Sequence, residues 1–300
     1  MELRLGADCR RPEWDAMVGK LSYLVKYLLG RDAAGRGFAV YPDDTFLVSY
    51  PRSGNTWTRF LIANLLYPNR KVSFATIDEL IPDACSQSKA GLRRLPRPRL
   101  IKTHEYFDPR YRKVIYIVRD PRDVALSQYK WFLKCRAFED GYPMEQFVPR
   151  FIQGDMSIYG SWGENVGSWV AARYASKGFL MLRYEDLVED TTRELQRVVS
   201  FLGIHAEEAD LLRAADLSSA ARMREMEKTE GESWVGTRGR RTDIPFVGTA
   251  RSGSWKTDLP EPCALAIEEA WKPILQQLKY EVSPGRPGEA LSPIPIFSTV

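Results

Sequence analysis

Histidine is scarce in this 300-residue chain, which holds two, His104 and His205. The four cysteines, Cys9, Cys85, Cys135 and Cys263, are widely scattered and form no C-x-x-C pair. Neither residue type clusters at the spacing of a metal site, so the thiols read as free, in a reducing, cytoplasmic compartment. No secretory signal is visible. The apolar stretch Leu21–Leu29 is short and contains Lys26, so it reads as an amphipathic helix docked on the domain and not as a stable membrane insertion. The net charge of +4 is too small to argue for nucleic acid. The phosphate-loop pattern G-x-x-x-x-G-K-[ST] is absent, which counts against an ordinary ATP or GTP site.

The chain is 44% hydrophobic, enough to bury the core of one large α/β domain. Strands are expected at Thr45–Tyr50, Arg99–Thr103, Lys113–Arg119 and Phe179–Tyr184. Helices are expected at Thr56–Leu66, Val124–Phe132, Trp162–Ser176 and Thr191–Leu202. This alternation predicts a single P-loop-like α/β domain with a central parallel sheet flanked by helices. Residues 1–44 read as an N-terminal helical segment packed on the domain, 45–282 as the domain, and 283–300 as a Pro-rich tail. Arg93–Arg99 reads as a loop. Glu230–Ser254 is long, rich in Gly, Arg and Thr, and reads as a lid.

Two strand ends carry the chemistry. Thr45–Trp57 reads TFLVSYPRSGNTW, a strand, a turn and a helix start. Backbone N–H groups at such a helix start lack partners and favour an anion. The alternative is a turn that only caps its helix with Ser53 or Asn55. Lys113–Tyr129 reads KVIYIVRDPRDVALSQY, with Asp120 and Pro121 as helix-start signals. Arg119 and Ser127 are placed to converge on a second anion. The competing expectation is an ion-pair cluster of Arg119 and Arg122 with Asp120 and Asp123. Two anion sites on one sheet imply a ligand with two separated phosphates.

The sequence resembles the sulfotransferases that use 3′-phosphoadenosine 5′-phosphosulfate (PAPS). SYPRSGNTW resembles their 5′-phosphosulfate loop and IVRDPRDVALSQY their 3′-phosphate segment. IKTH at Ile101–His104 resembles the strand bearing their catalytic histidine. RYEDLVED and GSWK, at Arg183–Asp190 and Gly253–Lys256, resemble two further motifs in the family's order. The resemblance implies sulfuryl transfer from PAPS to a hydroxyl or amine of a small-molecule acceptor, with no metal required. It implies that Arg52, Ser53, Gly54, Asn55 and Thr56 hold the 5′ end, with Arg52 in place of the family's lysine. It implies that Trp57 and Tyr184 contact adenine and that Arg119 and Ser127 hold the 3′-phosphate. His104 is then the general base, with Lys102, on the same face of the strand, stabilising charge on the transferring group.

The C-terminal motif departs from the family. In FVGTARSGSWK, Gly248 and Thr249 stand where an Arg-Lys pair is usual, and Arg251, Ser252 and Gly253 are expected to supply contacts instead. The dimerisation pattern K-x-x-x-T-V-x-x-x-E is not recognisable after Lys256, which leaves a homodimer open. The acceptor pocket is expected from Glu105–Phe107, Phe132–Tyr142 and part of Glu230–Phe246, whose aromatics favour an apolar or ring-bearing acceptor. The competing functions are a P-loop kinase of a small hydroxylated molecule and a nucleotide-binding module without catalysis.

Overall fold

The structure, a computed structural model, describes residues 34–248 and 250–283. Strands β1 (Thr45–Ser49), β2 (Leu100–Thr103), β3 (Lys113–Val118) and β4 (Phe179–Arg183) form one sheet in the order β2-β1-β3-β4. All three pairings are parallel, with Leu47 opposite Lys102 on one side and Ile115 on the other. In chain order the helices are α1 (Asn55–Leu66), α2 (Ile77–Leu80), α3 (Lys89–Arg94), α4 (Pro121–Lys134), α5 (Met144–Gln153) and α6 (Trp162–Arg173). They continue with α7 (Tyr184–Glu189), α8 (Thr191–Leu202), α9 (Glu208–Leu217), α10 (Ala220–Glu230), α11 (Trp255–Asp258) and α12 (Glu261–Gln277).

Strand alternation divides the core in two. Phe46, Val48, Tyr116 and Val118 pack against α4, α5, α6 and α12. Leu47, Ile115, Ile117 and Leu182 pack against α1, α8 and α9. Each fully buried large side chain contributes roughly 1.5–3 kcal/mol, and burial on both faces explains the unbroken apolar runs of β1 and β3.

The four expected strands are found to within a residue. The helix expected at Val124 starts earlier, at Pro121, because the Asp120 carboxylate accepts from the Arg122 N–H at 2.9 Å. Helices α5 and α12 were hidden by their internal prolines, Pro149 and Pro273. Arg93 and Arg94 belong to α3, which Ser88 caps, and only the remainder of that stretch is loop. Glu230–Ser254 contains a single 3-10 turn, Gly231–Ser233, among its described residues. The described residues 34–44 form turns, with Ala34 and Phe38 buried in the first core. The helix expected at Leu21–Leu29 and the tail beyond Ser283 lie outside the described residues.

From β1 the chain crosses to β2 on one side, whereas β3 lies on the other. The carboxyl ends of β1 and β3 therefore flank the point where the connections change direction, where ligands of such sheets bind.

Candidate active site

The turn after β1 builds one wall. Gly54 adopts φ 95° and precedes α1, and a Cβ there would meet Tyr184 Cδ2 at 2.5 Å. Glycine alone satisfies both constraints. Ser53 is fully buried, and its Oγ has no hydrogen-bond partner among the described residues. Leaving a buried hydroxyl unpaired costs about 1–3 kcal/mol. Asn55 Nδ2 donates to Ser49 Oγ at 3.1 Å, tying the helix start back to β1. Thr56 and Trp57 are half-buried and line the cavity described below.

The turn after β3 meets this loop. Arg119 donates to the Arg52 carbonyl at 3.4 Å and to the Arg251 carbonyl at 3.3 Å. Its guanidinium lies 4.2 Å from the Tyr184 ring centre, and Tyr184 meets Trp57 edge-on at 5.7 Å. Arg119 also approaches Asp123 at 3.8 Å. Arg122 turns away: it is fully buried against Asp120 and Glu268 and lies over Trp255 at 3.6 Å. The ion-pair expectation thus describes Arg122 and, through Asp123, also Arg119, which in addition lines the cavity.

Arg52 has a positive φ of 67° and turns its side chain onto α4. Its Nε donates to Ser127 Oγ at 3.1 Å, and its guanidinium sits 5.3 Å from Trp131 and 4.8 Å from Phe246. Burial and the neighbouring Arg119 pull the Arg52 guanidinium down to about 10. The residue expected at the 5′ end is therefore tied to the one expected at the 3′ end.

His104 follows β2 directly. Its Nδ1 lies 2.7 Å from the Ser49 carbonyl oxygen. A carbonyl only accepts, so Nδ1 carries the hydrogen and Nε2 is left as the proton acceptor. Burial, and then Lys102, lower the imidazole to about 3. Lys102 is nearly buried and ion-paired with Asp83 at 2.7 Å. Burial pushes the Asp83 carboxyl up, but Lys102, Arg59 and His104 outweigh it and hold the group well below the usual carboxylate range. Asp83 was missed from sequence because nothing in the Ile81–Asp83 stretch signals a partner across the sheet.

These groups line one cavity of about 1190 Å³. Arg52, Gly54, Asn55, Thr56, Trp57, Lys102, His104, Arg119, Ser127, Tyr184 and Arg251 all reach it, whereas Ser53, Ser252 and Gly253 do not. The Gly253 N–H instead donates to Asp123 at 2.8 Å, as the Trp255 N–H does at 3.0 Å. On the acceptor side the expectation needs correction. Glu105–Phe107 are absent from the wall, and Phe138 stacks on Tyr142 at 4.2 Å beside Phe147. Phe132, Trp234–Gly236 and Asp243–Phe246 line the cavity as expected, and Met156–Tyr159 join them from outside the expected segments. No helix among the described residues is long and apolar enough to cross a membrane.

The family model for a sulfotransferase domain matches residues 42–279. Sulfotransferase 1A1 of Rattus norvegicus is 29% identical over 250 residues, covering 78% of this chain and 84% of the relative. The 3-beta-hydroxysteroid sulfotransferase of Cavia porcellus is 33% identical over 187 residues, covering 58% of this chain and 64% of the relative. The structure of mouse sulfotransferase SULT7A1 complexed with PAP superposes with TM-score 0.64 at 25% identity, covering 78% of this chain and 84% of that one. Retinol dehydratase in complex with androsterone and PAP shares the fold, with TM-score 0.66 at 20% identity over 88% of both chains. With the family model spanning most of its length and both strand-end turns meeting in one cavity, this chain belongs to the sulfotransferase family.

Proposed function

We propose that the chain moves a sulfuryl group from PAPS to the hydroxyl of a small, apolar or ring-bearing acceptor, with His104 as general base. The carrying observation is the His104 tautomer: the 2.7 Å contact with the Ser49 carbonyl leaves Nε2 unprotonated in a residue lining the cavity. The chain's groups fit the donor's two anionic ends. Arg52 and Arg251 line the cavity without an ion pair to any carboxylate among the described residues. The donor supplies the sulfuryl group. A bond forms from the acceptor oxygen to sulfur, the bond from sulfur to the bridging phosphate oxygen breaks, and 3′,5′-ADP leaves.

In this reading His104 Nε2 takes the acceptor proton. Lys102, held by Asp83, stabilises the transferring group, and Arg52 stabilises the departing phosphate. Arg119 and Ser127 bind the 3′-phosphate, while Trp57 and Tyr184 contact adenine from one side. Aromatic walls at Trp131, Phe132 and Trp234 favour an apolar acceptor. The free thiols of Cys85, Cys135 and Cys263 fit a reducing compartment.

The test is calorimetry with 3′,5′-ADP and 5′-AMP, followed by an acceptor screen with PAPS read by mass spectrometry for an added sulfate. The 3′-phosphate contacts should make 3′,5′-ADP bind over tenfold more tightly, at about 2 kcal/mol for the charge-assisted set. Equal affinities would reject the 3′ site, and a need for Mg·ATP would favour a kinase.

A further inference from the structure

The C-terminal segment leaves a gap in the 3′ site, because Gly248 stands where the family's arginine is expected. We propose that Arg224, on α10, supplies the missing guanidinium and binds the 3′-phosphate of the nucleotide together with Arg119 and Arg251. This inference rests on the sulfotransferase reading above.

Three contacts converge on it. Arg224 lines the cavity with Ala220 and Met223, which share its helix face. Its Nη1 donates to the Gly248 carbonyl at 2.8 Å, the backbone position of the absent arginine. A guanidinium has five N–H donors, so this bond leaves others for an anion. At the far end of the same short stretch, the Arg251 carbonyl accepts from Arg119 at 3.3 Å. Positions 248 and 251 are at most about 11 Å apart along the chain, so Arg119 and Arg224 hold the two ends of one short stretch. Finally, Trp57 Nε1 donates to the Ser218 carbonyl at 3.0 Å, docking the turn between α9 and α10 on the proposed adenine wall.

Charge bookkeeping points the same way. The cavity's Asp78, Asp83, Asp123 and Asp243 are matched by Arg59, Lys102, Arg119 and Arg241. Arg224 and Arg251 line the cavity without an ion pair to any carboxylate among the described residues. Its neighbour Arg222, outside this cavity, is paired with Asp216 at 2.8 Å. Unneutralised arginines at the nucleotide end of a cavity are a phosphate site by their chemistry.

The experiment is calorimetry of the full chain with 3′,5′-ADP and 5′-AMP for the parent, Arg224→Ala, Arg224→Gln and Arg222→Ala. Arg224→Gln keeps a donor for Gly248 and loses the charge, so it separates phosphate binding from loop support. Both Arg224 variants should weaken 3′,5′-ADP about tenfold while 5′-AMP changes less than about twofold, and Arg222→Ala should match the parent. Equal losses for the two nucleotides, or parent-like binding by Arg224→Gln, would overturn the assignment. A parent that does not distinguish the two nucleotides overturns the 3′-phosphate reading itself, and Arg224's role with it.

Discussion

At the residue scale the group on which the proposed mechanism turns is His104, whose environment keeps its imidazole neutral. Burial and Lys102 lower its pKa from 6.5 to about 3. Between those values the unfolded chain binds a proton that the native protein refuses. The resulting stability is present above pH 6.5 and is lost as pH falls toward 3. With only two histidines in the chain, imidazole NMR resonances can be assigned by comparison with His205→Asn. The His104 resonance of the free protein should not titrate between pH 5 and 8, and bound 3′,5′-ADP should raise its pKa, since a nearby anion favours imidazolium. Titration near 6.5 in the free protein would show an exposed ring and sink the buried-base reading. His104→Ala should retain 3′,5′-ADP affinity and lose turnover by ~100-fold or more. His104 and Lys102 were legible in sequence because alternation on one strand is local information. Asp83 was not, because its approach to Lys102 depends on where the chain between α2 and α3 is laid against β2.

At the element scale the segment after α10 is clamped. Lys134, near the end of α4, donates to the carbonyls of Arg241 and Ile244 at 2.7 Å each. Glu227 on α10 accepts from the N–H groups of Phe246 and Val247 at 2.6 and 2.9 Å and pairs with Lys134 at 3.2 Å. One buried lysine and one carboxylate thus hold Phe246 against the Arg52 guanidinium. Lys134→Met removes three donated contacts and leaves the aliphatic stem. Proteolysis within 235–248 should then accelerate, and 3′,5′-ADP affinity should fall about tenfold through Phe246 and Arg52. Unchanged protection and unchanged affinity would mean that the segment is held by its aromatics alone. That this stretch is long and irregular was readable from composition. Its clamp was not, because a lysine in an amphipathic helix reads as a solvated residue until the opposing carbonyls are known. The same limit applied to α5 and α12, where Pro149 and Pro273 broke the helical pattern although neighbouring apolar faces were packed against the sheet.

At the scale of the whole molecule, strand order brings distant motifs together. Alternating strands and helices announce a parallel sheet, and the family resemblance supplies the order of its motifs. The placement of β1 between β2 and β3 is what sets the turn after β1 between His104 and Arg119. Charge is distributed to match. The net charge is only +4, and Arg52, Arg224 and Arg251 line the cavity without an ion pair to a carboxylate among the described residues. Such a focus attracts a polyanion over a distance set by salt, about 10 Å at 0.1 M and 3 Å at 1 M. The 3′,5′-ADP association rate and affinity should therefore fall steeply as sodium chloride is raised from 50 to 500 mM, by about tenfold or more in affinity. The slope should be shallower in Arg251→Ala, which removes one of the exposed cations. Binding of an uncharged apolar acceptor should change little over the same range, since burial of apolar surface carries no charge to screen. Stopped-flow association and calorimetry across the salt series measure both quantities. A nucleotide affinity independent of salt would mean that the cavity's cations are neutralised from within the chain and that the donor is held by stacking and backbone contacts instead.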